Sequence, residues 1–573
     1  MDEIPETNKM IKRIRLLRDK FKKFNIDGYV IPKNDDYFTE YSKKNRLEVI
    51  SNFSGSAGIA VVLKKKNYLF TDGRYTIQSQ MESGRNFKIV DFEKLIDCSL
   101  FKNLTLGIDP KLFTYKQVKK FFLKNNKVKF IQENLIDKIK KQKKDDIFPF
   151  YSLNKSIVGE DSISKINKIV TFIKKNKADN IFISAPENVA WILNIRGNDG
   201  PNSPLPNSRL IISKTKEIFL ISSRRKCKKL INEKKINSKN IIDIKEFKKR
   251  IFFLKGNRFI IDRNTCSIFF EDIIKSKFNV LLKDDPTYFL KAIKNKTEIK
   301  NTIDAHIADG VAVTKFIYWI KKINKKKITE VEAQNKLEKF RKLNKNYLYP
   351  SFDTIAGSGK NGAIVHYRAH KVNCKNIEKT EIFLCDSGGQ YKYGTTDITR
   401  TLCFSNQSKY VKNIYTKVLK GHIAVATTNL AKDNTGKKID ARARKFLKKS
   451  NMDYAHGTGH GVGFFLNVHE GPQSLTKVNK IKMKEGMILS NEPGYYIENK
   501  FGIRIENLIY VKRYKNQIFF ENLTMAPIEK KLINFELLKP YEKNYLFKYH
   551  MTVYSKISKY LSFNEKKWLA SFI

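Results

Sequence analysis

A chain of 573 residues with 41% apolar composition can bury several cores, and roughly 100 to 200 residues per domain gives three or four of them. No run approaches the roughly 18 apolar residues that span a bilayer, and the six cysteines, Cys98, Cys227, Cys266, Cys374, Cys385 and Cys403, show no CxxC pairing. This excludes an α-helical membrane protein, a disulfide framework and a zinc ribbon, and it leaves the thiols as small buried hydrophobes.

The net charge of +55 invites a polyanion. The lysines, however, are spread from end to end with abundant Asn, Ile, Phe and Tyr. We read the charge as compositional bias on a solvated surface, and expect neither nucleic acid nor membrane as a partner. The start, MDEIPETNKMIKRIRLL, is acidic and then amphipathic with no h-region, which points to the cytoplasm.

Ile11, Ile14, Leu17, Phe21 and Phe24 have the spacing of one amphipathic helix. Strands follow at 29–31, 58–63 and 68–71, the last closing on the turn pair Asp72-Gly73. The same plan recurs further on. Ile163, Ile166, Ile169 and Ile173 mark a helix leading to a strand at 181–183, KFNIDGYVIP aligns with KNKADNIFIS, and YLFTDGR at 68–74 aligns with IFLISSR at 218–224. Two tandem α/β domains are expected, at 1–140 and 150–290, with the charged stretch 137–146 as linker or solvated surface.

A third, α+β unit is expected at 294–530. It opens on the capping-box pair Asn295 and Glu298 and a long helix with the stripe Ile299, Ile303, Ile307, Val313, Ile317 and Ile320. Short, glycine-punctuated strands and hairpins follow. The aromatic tail, 531–573, with Trp568, Leu569 and Phe572, is expected to pack or to dimerise.

The chemistry gathers in this third unit. None of the eight histidines precedes His306, and His456, His460 and His469 lie together in YAHGTGHGVGFFLNVHEGP, an asymmetry that points to one site. Glycines around His456 and His460 argue for a loop close to a ligand. Asp386 and Asp397 lie on either side of a turn predicted after Gly388 and Gly389, with the chain returning through Thr395 and Thr396, and a hairpin brings the two carboxylates together, where they repel unless a cation lies between them. Arg504 and Glu506, in GIRIEN, share one face of a strand, so the arginine would orient the carboxylate. With Glu492 in NEPGYY, the acceptors Asp386, Asp397, His460, Glu492 and Glu506 are oxygen-rich with one imidazole. Such a set suits hard or borderline divalent ions in a two-metal centre. Gly357, Gly359 and Gly362 spell GxGxxG, but the following AIVHY reads as a strand, whereas a dinucleotide loop must open a helix.

DTIAGSGKNGAIVHYRA, DSGGQYKYGTTDITRT, HGTGHGVGFFLNVHEGP, EPGYY and FGIRIEN closely resemble segments of the cytosolic aminopeptidase P family, the Xaa-Pro aminopeptidases of the pita-bread metallopeptidase superfamily. DGRY at 72–75 and AWILNIRG at 190–197 resemble its creatinase-type domains, and the Trp568-Leu569 pair resembles the extension of its long, three-domain form. The resemblance implies two creatinase-like α/β domains, a pita-bread catalytic domain and a C-terminal extension used for dimerisation. It also implies release of the N-terminal residue from peptides with proline second, by attack of a hydroxide bridging two divalent ions, usually manganese. On that pattern Asp397 and Glu506 bridge both ions, Asp386 serves one, and His460 with Glu492 the other. His366, His456 and His469 contact substrate or handle protons, Glu492 assists proton transfer, and Arg504 supports the ligands. The rivals are prolidase, which cleaves only Xaa-Pro dipeptides, methionine aminopeptidase, which needs no preceding α/β domains, and a non-enzymatic relative that binds nucleic acid or histones. The retained acceptor set and the duplicated N-terminal half favour the aminopeptidase.

Overall fold

The structure, a computed structural model, describes residues 3–96, 100–141, 147–322, 327–371 and 374–573. Cys98 and the second half of the 137–146 stretch lie outside them. The chain divides into two compact units, residues 1–155 with 160–287, and residues 156–159 with 288–573.

The first unit contains two six-stranded sheets of one topology. In the first the spatial order is Lys88–Asp91, Asn67–Thr71, Ile59–Leu63, Gly28–Pro32, Thr105–Ile108 and Lys127–Phe130. In the second it is Ile241–Ile242, Ile218–Ile221, Arg209–Ser213, Asn180–Ile183, Arg258–Ile261 and Asn279–Leu282. Each central strand runs antiparallel to one neighbour and parallel to the other. Burial on both faces explains why these strands read as unbroken apolar runs.

The predicted first helix is in fact two, Glu3–Arg18 and Phe21–Phe24, and a left-handed Asn25 (φ 47°) closes the second. Met10, Ile14, Leu17 and Phe21 form the buried stripe, and Ile11 turns out to solvent. In the second sheet's helix, Ser162–Lys175, Ile169 and Ile173 are buried, while Ile163, in the first turn, is exposed. The 137–146 stretch is not all solvated linker. The helix Leu135–Ile139 buries Leu135 and Ile136, and Asp137 pairs with the buried Arg46 at 2.8 Å.

The second unit contains α1 (Lys296–Lys322), α2 (Glu330–Lys342), β1 (Ile355–Ser358), β2 (Ile382–Ser387), β3 (Ile398–Cys403), α3 (Lys409–Ala426), β4 (Gly459–Gly461), β5 (Glu470–Leu475), β6 (Ile488–Asn491), β7 (Gly494–Ile497), β8 (Phe501–Arg504), β9 (Asn507–Tyr514), β10 (Gln517–Asn522), α4 (Pro540–Ile557) and α5 (Phe563–Ala570). β2 lies between β1 and β3. A second sheet has the order β5-β4-β6-β9-β10, and β7 pairs with β8. The Asn295–Glu298 capping box is present, with reciprocal bonds of 3.0 Å. On α1, Val313, Ile317 and Ile320 are buried, but Ile299, Ile303 and Ile307 only partly so.

The tail packs on this unit. Leu546, Tyr549, Val553 and Ile557 of α4 and Leu569 of α5 join one buried cluster, and Trp568 meets Tyr318 edge-on at 5.6 Å. Four of the six cysteines, Cys227, Cys266, Cys385 and Cys403, are buried and free, as expected of small hydrophobes, whereas Cys374 is only partly buried. Among the described residues no helix is long and apolar enough to cross a membrane.

His422 on α3 and His550 on α4 are buried, and that burial, with the nearby Arg400 charge, pushes both down to about 3. Unfolded, each takes a proton near 6.5. Stability is therefore intact above pH 6.5 and is lost as pH falls from there toward 3, by about 2 kcal/mol per histidine at pH 5. His550→Gln keeps an acceptor for the Ile528 N–H that Nε2 now binds at 3.2 Å. It is expected to flatten the pH dependence of urea unfolding between pH 7 and 5 and to leave the plateau above pH 7 unchanged.

Candidate metal centre

Strand register dictates which side chains meet. Asp386 on β2 stands opposite Thr399 on β3. Asp386 and Thr399 therefore share one face of the sheet, and Asp397 stands just before β3, its carboxylate 3.4 Å from His460 Nε2. The predicted hairpin is present, with the short strands Gly389–Tyr391 and Gly394–Thr395 at its turn.

In the second sheet Asn491 stands opposite Asn507. Glu492, just past β6, and Glu506, just before β9, therefore come next to each other at the ends of adjacent strands. His460 on β4 reaches the same group through its neighbour Ser490, whose Oγ accepts the His460 N–H at 2.9 Å and donates to Glu492 Oε1 at 3.3 Å. Gly459 makes this approach possible, because a Cβ there would collide with the Ser490 carbonyl.

The five predicted acceptors converge. Ligand atoms of Asp397, His460 and Glu506 lie within 4.8 Å of one another, and His460 Nε2 is 3.4 Å from Asp397 and 3.6 Å from Glu492. His460 Nδ1 is 2.9 Å from the Gly461 carbonyl, which can only accept. Nδ1 therefore carries a proton, which leaves Nε2, on the carboxylate side, as the atom that would ligate an ion. Burial, then the charges of Asp386 and Glu492, hold Asp397 well above the usual carboxylate range. Burial, then Asp397 and Asp386, do the same to Glu506. Asp386 Oδ1 is buried with no hydrogen-bond partner. A buried, partnerless carboxylate oxygen among mutually repelling acids is what a bound cation would satisfy, so the donor set fits a divalent pair.

Arg504 does not lie on Glu506 as the one-face argument expected. It pairs with Asp386 at 2.7 Å and donates to Tyr496 Oη at 2.6 Å and Thr399 Oγ1 at 3.1 Å. Glu506 instead accepts from Thr399 Oγ1 at 2.7 Å. Glu506 sits in the break between β8 and β9, outside any strand, so the period-two rule does not carry to it. Arg504 stays charged despite burial because Tyr496, Asp386, Glu492 and Glu506 surround it.

Tyr496, which sequence reasoning did not single out within EPGYY, links Arg504 to His456. His456 Nδ1 donates to the Gly457 carbonyl at 2.7 Å, so its Nε2 accepts from Tyr496 Oη at 2.8 Å. Both ring nitrogens of His456 are thus engaged by the protein. Burial, ahead of the neighbouring charges, pushes the Tyr496 phenol up to about 12, so it stays a donor.

His469 stands edge-on to His460, ring centres 4.3 Å apart. The following Glu470 is clamped by Lys291 at 2.9 Å and Lys294 at 2.5 Å, all three buried. His366 is half-buried in the segment after β1. Glu330 holds that segment by accepting from Ser358 N at 2.7 Å, Tyr367 Oη at 2.8 Å and Lys375 N at 3.0 Å, and the Val365 carbonyl accepts from Arg504 at 3.4 Å. AIVHY is not a strand. Residues Gly359–Ala363 form a 3₁₀ turn, which places no α-helix after the GxGxxG spelling. The histidine asymmetry overstated its case, since His306, His422 and His550 are buried structural residues.

The fold and site define a metallopeptidase of family M24, whose model matches residues 300–513, with the C-terminal region of that peptidase at 517–571. The creatinase/prolidase N-terminal domain matches twice, at 13–139 and 141–298. Among individual proteins, the probable Xaa-Pro aminopeptidase P of Laccaria bicolor is 35% identical, covering 97% of this chain and 92% of its own. Xaa-Pro aminopeptidase 1 of Dictyostelium discoideum is 36% identical over 95% and 93%. The X-prolyl aminopeptidase of Caenorhabditis elegans, described as a cytosolic enzyme with a dinuclear active site, superposes with a TM-score of 0.91 at 28% identity, covering 98% and 99%. This chain belongs to the Xaa-Pro aminopeptidase P family.

Proposed function

We propose that the chain is a dinuclear exopeptidase that releases the N-terminal residue from peptides with proline in second position. The convergence of Asp386, Asp397, His460, Glu492 and Glu506, with Asp386 Oδ1 left partnerless, carries this reading in a chain of that family. Asp397 and Glu506 would bridge both ions, Asp386 would hold one, and His460 with Glu492 the other. The oxygen-rich set supports manganese. When bound, two divalent ions supply a Lewis acid and a water acidified toward neutral pH.

The residues of the chain do the rest. The substrate's charged amino terminus complements the four carboxylates. A bond to proline lacks the N–H that strand-like peptide binders use, so recognition must come from shape and from the carbonyls. Glu492, half-buried and held by Ser490, takes the proton of the attacking water and returns one to the departing proline nitrogen. His366 and His469 donate to the developing oxyanion. His456 acts through Tyr496, which it holds against Arg504. The cytoplasm is the expected compartment. A homodimer is expected through the C-terminal extension, where Phe547 (49% exposed) and Met551 (43%) lie one turn apart on α4.

The test is release of the first residue from Xaa-Pro-Pro by metal-depleted protein with and without manganese, beside Xaa-Ala-Pro and the dipeptide Xaa-Pro. Manganese-dependent cleavage of Xaa-Pro-Pro alone is expected. Cleavage of the dipeptide alone would make the protein a prolidase, and no cleavage with any divalent ion would remove the catalytic reading.

A further inference from the structure

The C-terminal helix α4 is remote in sequence from every acceptor of the centre, yet one buried arginine connects them. Arg400 follows Thr399 on β3, so it points away from the face that carries Asp386 and Thr399. It is 2% exposed. Its Nη1 donates to the carbonyls of Glu506 at 2.6 Å and Thr399 at 2.9 Å. Its Nη2 reaches Asn507 Oδ1 at 2.9 Å, the Ala526 carbonyl at 2.8 Å and Tyr549 Oη at 3.0 Å, and its Nε the Pro527 carbonyl at 2.8 Å. All of these acceptors are neutral. A buried cation that meets no carboxylate is a costly way to hold a fold together, which apolar packing does as well. What a guanidinium adds is a rigid planar fork with five donors.

The fork grips the backbone of Glu506 and of Thr399, the residue that holds its carboxylate. Thr399 donates its hydroxyl to Glu506 Oε2 at 2.7 Å and accepts the Glu506 N–H at 3.1 Å. Arg400 fixes the backbone carbonyls of the same two residues. Its third arm ends on Tyr549, which also donates to the Ala526 carbonyl at 2.8 Å. We propose that Arg400 and Tyr549 are a positioning pair that sets the direction of Glu506 toward the metal ions, making α4 part of the metal site's construction. The proposal rests on Glu506 being a ligand, as argued under Proposed function.

The test uses full-length, metal-depleted protein and Mn²⁺ as the probe. Binding is followed by calorimetry and by electron paramagnetic resonance, which distinguishes coupled from isolated ions. Tyr549→Phe and Arg400→Lys are expected to melt cooperatively and keep their circular dichroism, but to bind the second Mn²⁺ about three- to tenfold more weakly, the scale of one buried hydrogen bond, with a smaller coupled signal. Glu565→Gln removes the charge from a different docking contact of the tail, the Lys315–Glu565 ion pair at 2.9 Å, and should leave Mn²⁺ binding unchanged.

Wild-type binding constants and an unchanged coupled signal in Tyr549→Phe would overturn the proposal. So would equal weakening by Glu565→Gln, which would reduce Tyr549 to a docking contact. Tyr549→Phe alone decides the matter if Arg400→Lys does not fold. Failure of the wild-type protein to bind Mn²⁺ would instead remove the metal-centre reading, and this proposal with it.

Discussion

Asp397→Asn is expected to abolish release of the first residue from Xaa-Pro-Pro and, at the same time, to make the metal-free protein harder to unfold. The loss of activity should be at least about a thousandfold, or roughly 4 kcal/mol of transition-state stabilisation, because a proposed bridging carboxylate touches both ions. The gain in stability follows from the acids themselves. Burial and the charges of Asp386 and Glu492 hold Asp397 well above the usual carboxylate range. The Asp397 contribution to metal-free stability is therefore most favourable below about pH 4, where the unfolded carboxyl is still protonated. It is lost as pH rises through the unfolded value toward the raised folded one.

At pH 7 the unfolded carboxyl is ionised while burial and the neighbouring acids oppose ionisation in the folded protein, and Asn removes that penalty, so the variant should unfold at a higher urea concentration. Adding manganese should reverse the order, stabilising the wild type by mass action and the variant much less. Urea unfolding of both proteins with chelator and with manganese measures this. A variant that is less stable than wild type without metal would show that Asp397 supports the fold rather than the ions.

The site was legible in the sequence where chemistry and local structure coincide. Asp386 at the end of an apolar run, the hairpin to Asp397 and the glycine-flanked His460 are short-range patterns, and the structure brings Asp397, His460 and Glu506 to within 4.8 Å of one another. The duplicated sheets were legible for the same reason, since Ile218–Ile221 repeats the apolar run of Asn67–Thr71 and takes the same place in its sheet. What stayed hidden depends on contacts between distant segments. The partner of Arg504 is Asp386, 118 residues away, because β8 packs back against the β2–β3 hairpin. No local period encodes that choice. The collision that a Cβ on Gly502 would make with the Gly362 carbonyl shows how closely β8 meets the His366 segment. Tyr496 passed unnoticed because a tyrosine beside a proline-glycine turn has many uses. Only the Arg504 and His456 bonds give it this one.

Arg504→Lys is the second large effect, and it distinguishes charge from geometry. Lysine keeps the positive charge beside Asp386, but one ammonium cannot also span Tyr496 Oη at 2.6 Å and Thr399 Oγ1 at 3.1 Å. If the fork matters, kcat/KM for Xaa-Pro-Pro should fall about a hundredfold, the upper end for loss of a group that orients metal ligands. Arg504→Met removes the charge too and leaves Asp386 buried among like charges. Its metal-free form should lose about 3 to 5 kcal/mol, part of which manganese restores.

Tyr496→Phe should cost less on its own, about tenfold, since it deletes one hydroxyl. In the double variant Arg504→Lys/Tyr496→Phe the two losses should not add, because Tyr496 acts through the hydrogen bond that the lysine has already given up. Full additivity in that cycle would mean that Tyr496 serves His456 alone and that the chain of bonds from Asp386 to His456 is two separate pairs. A lysine variant with wild-type kcat/KM would mean that the charge beside Asp386 suffices and that the planar fork is incidental.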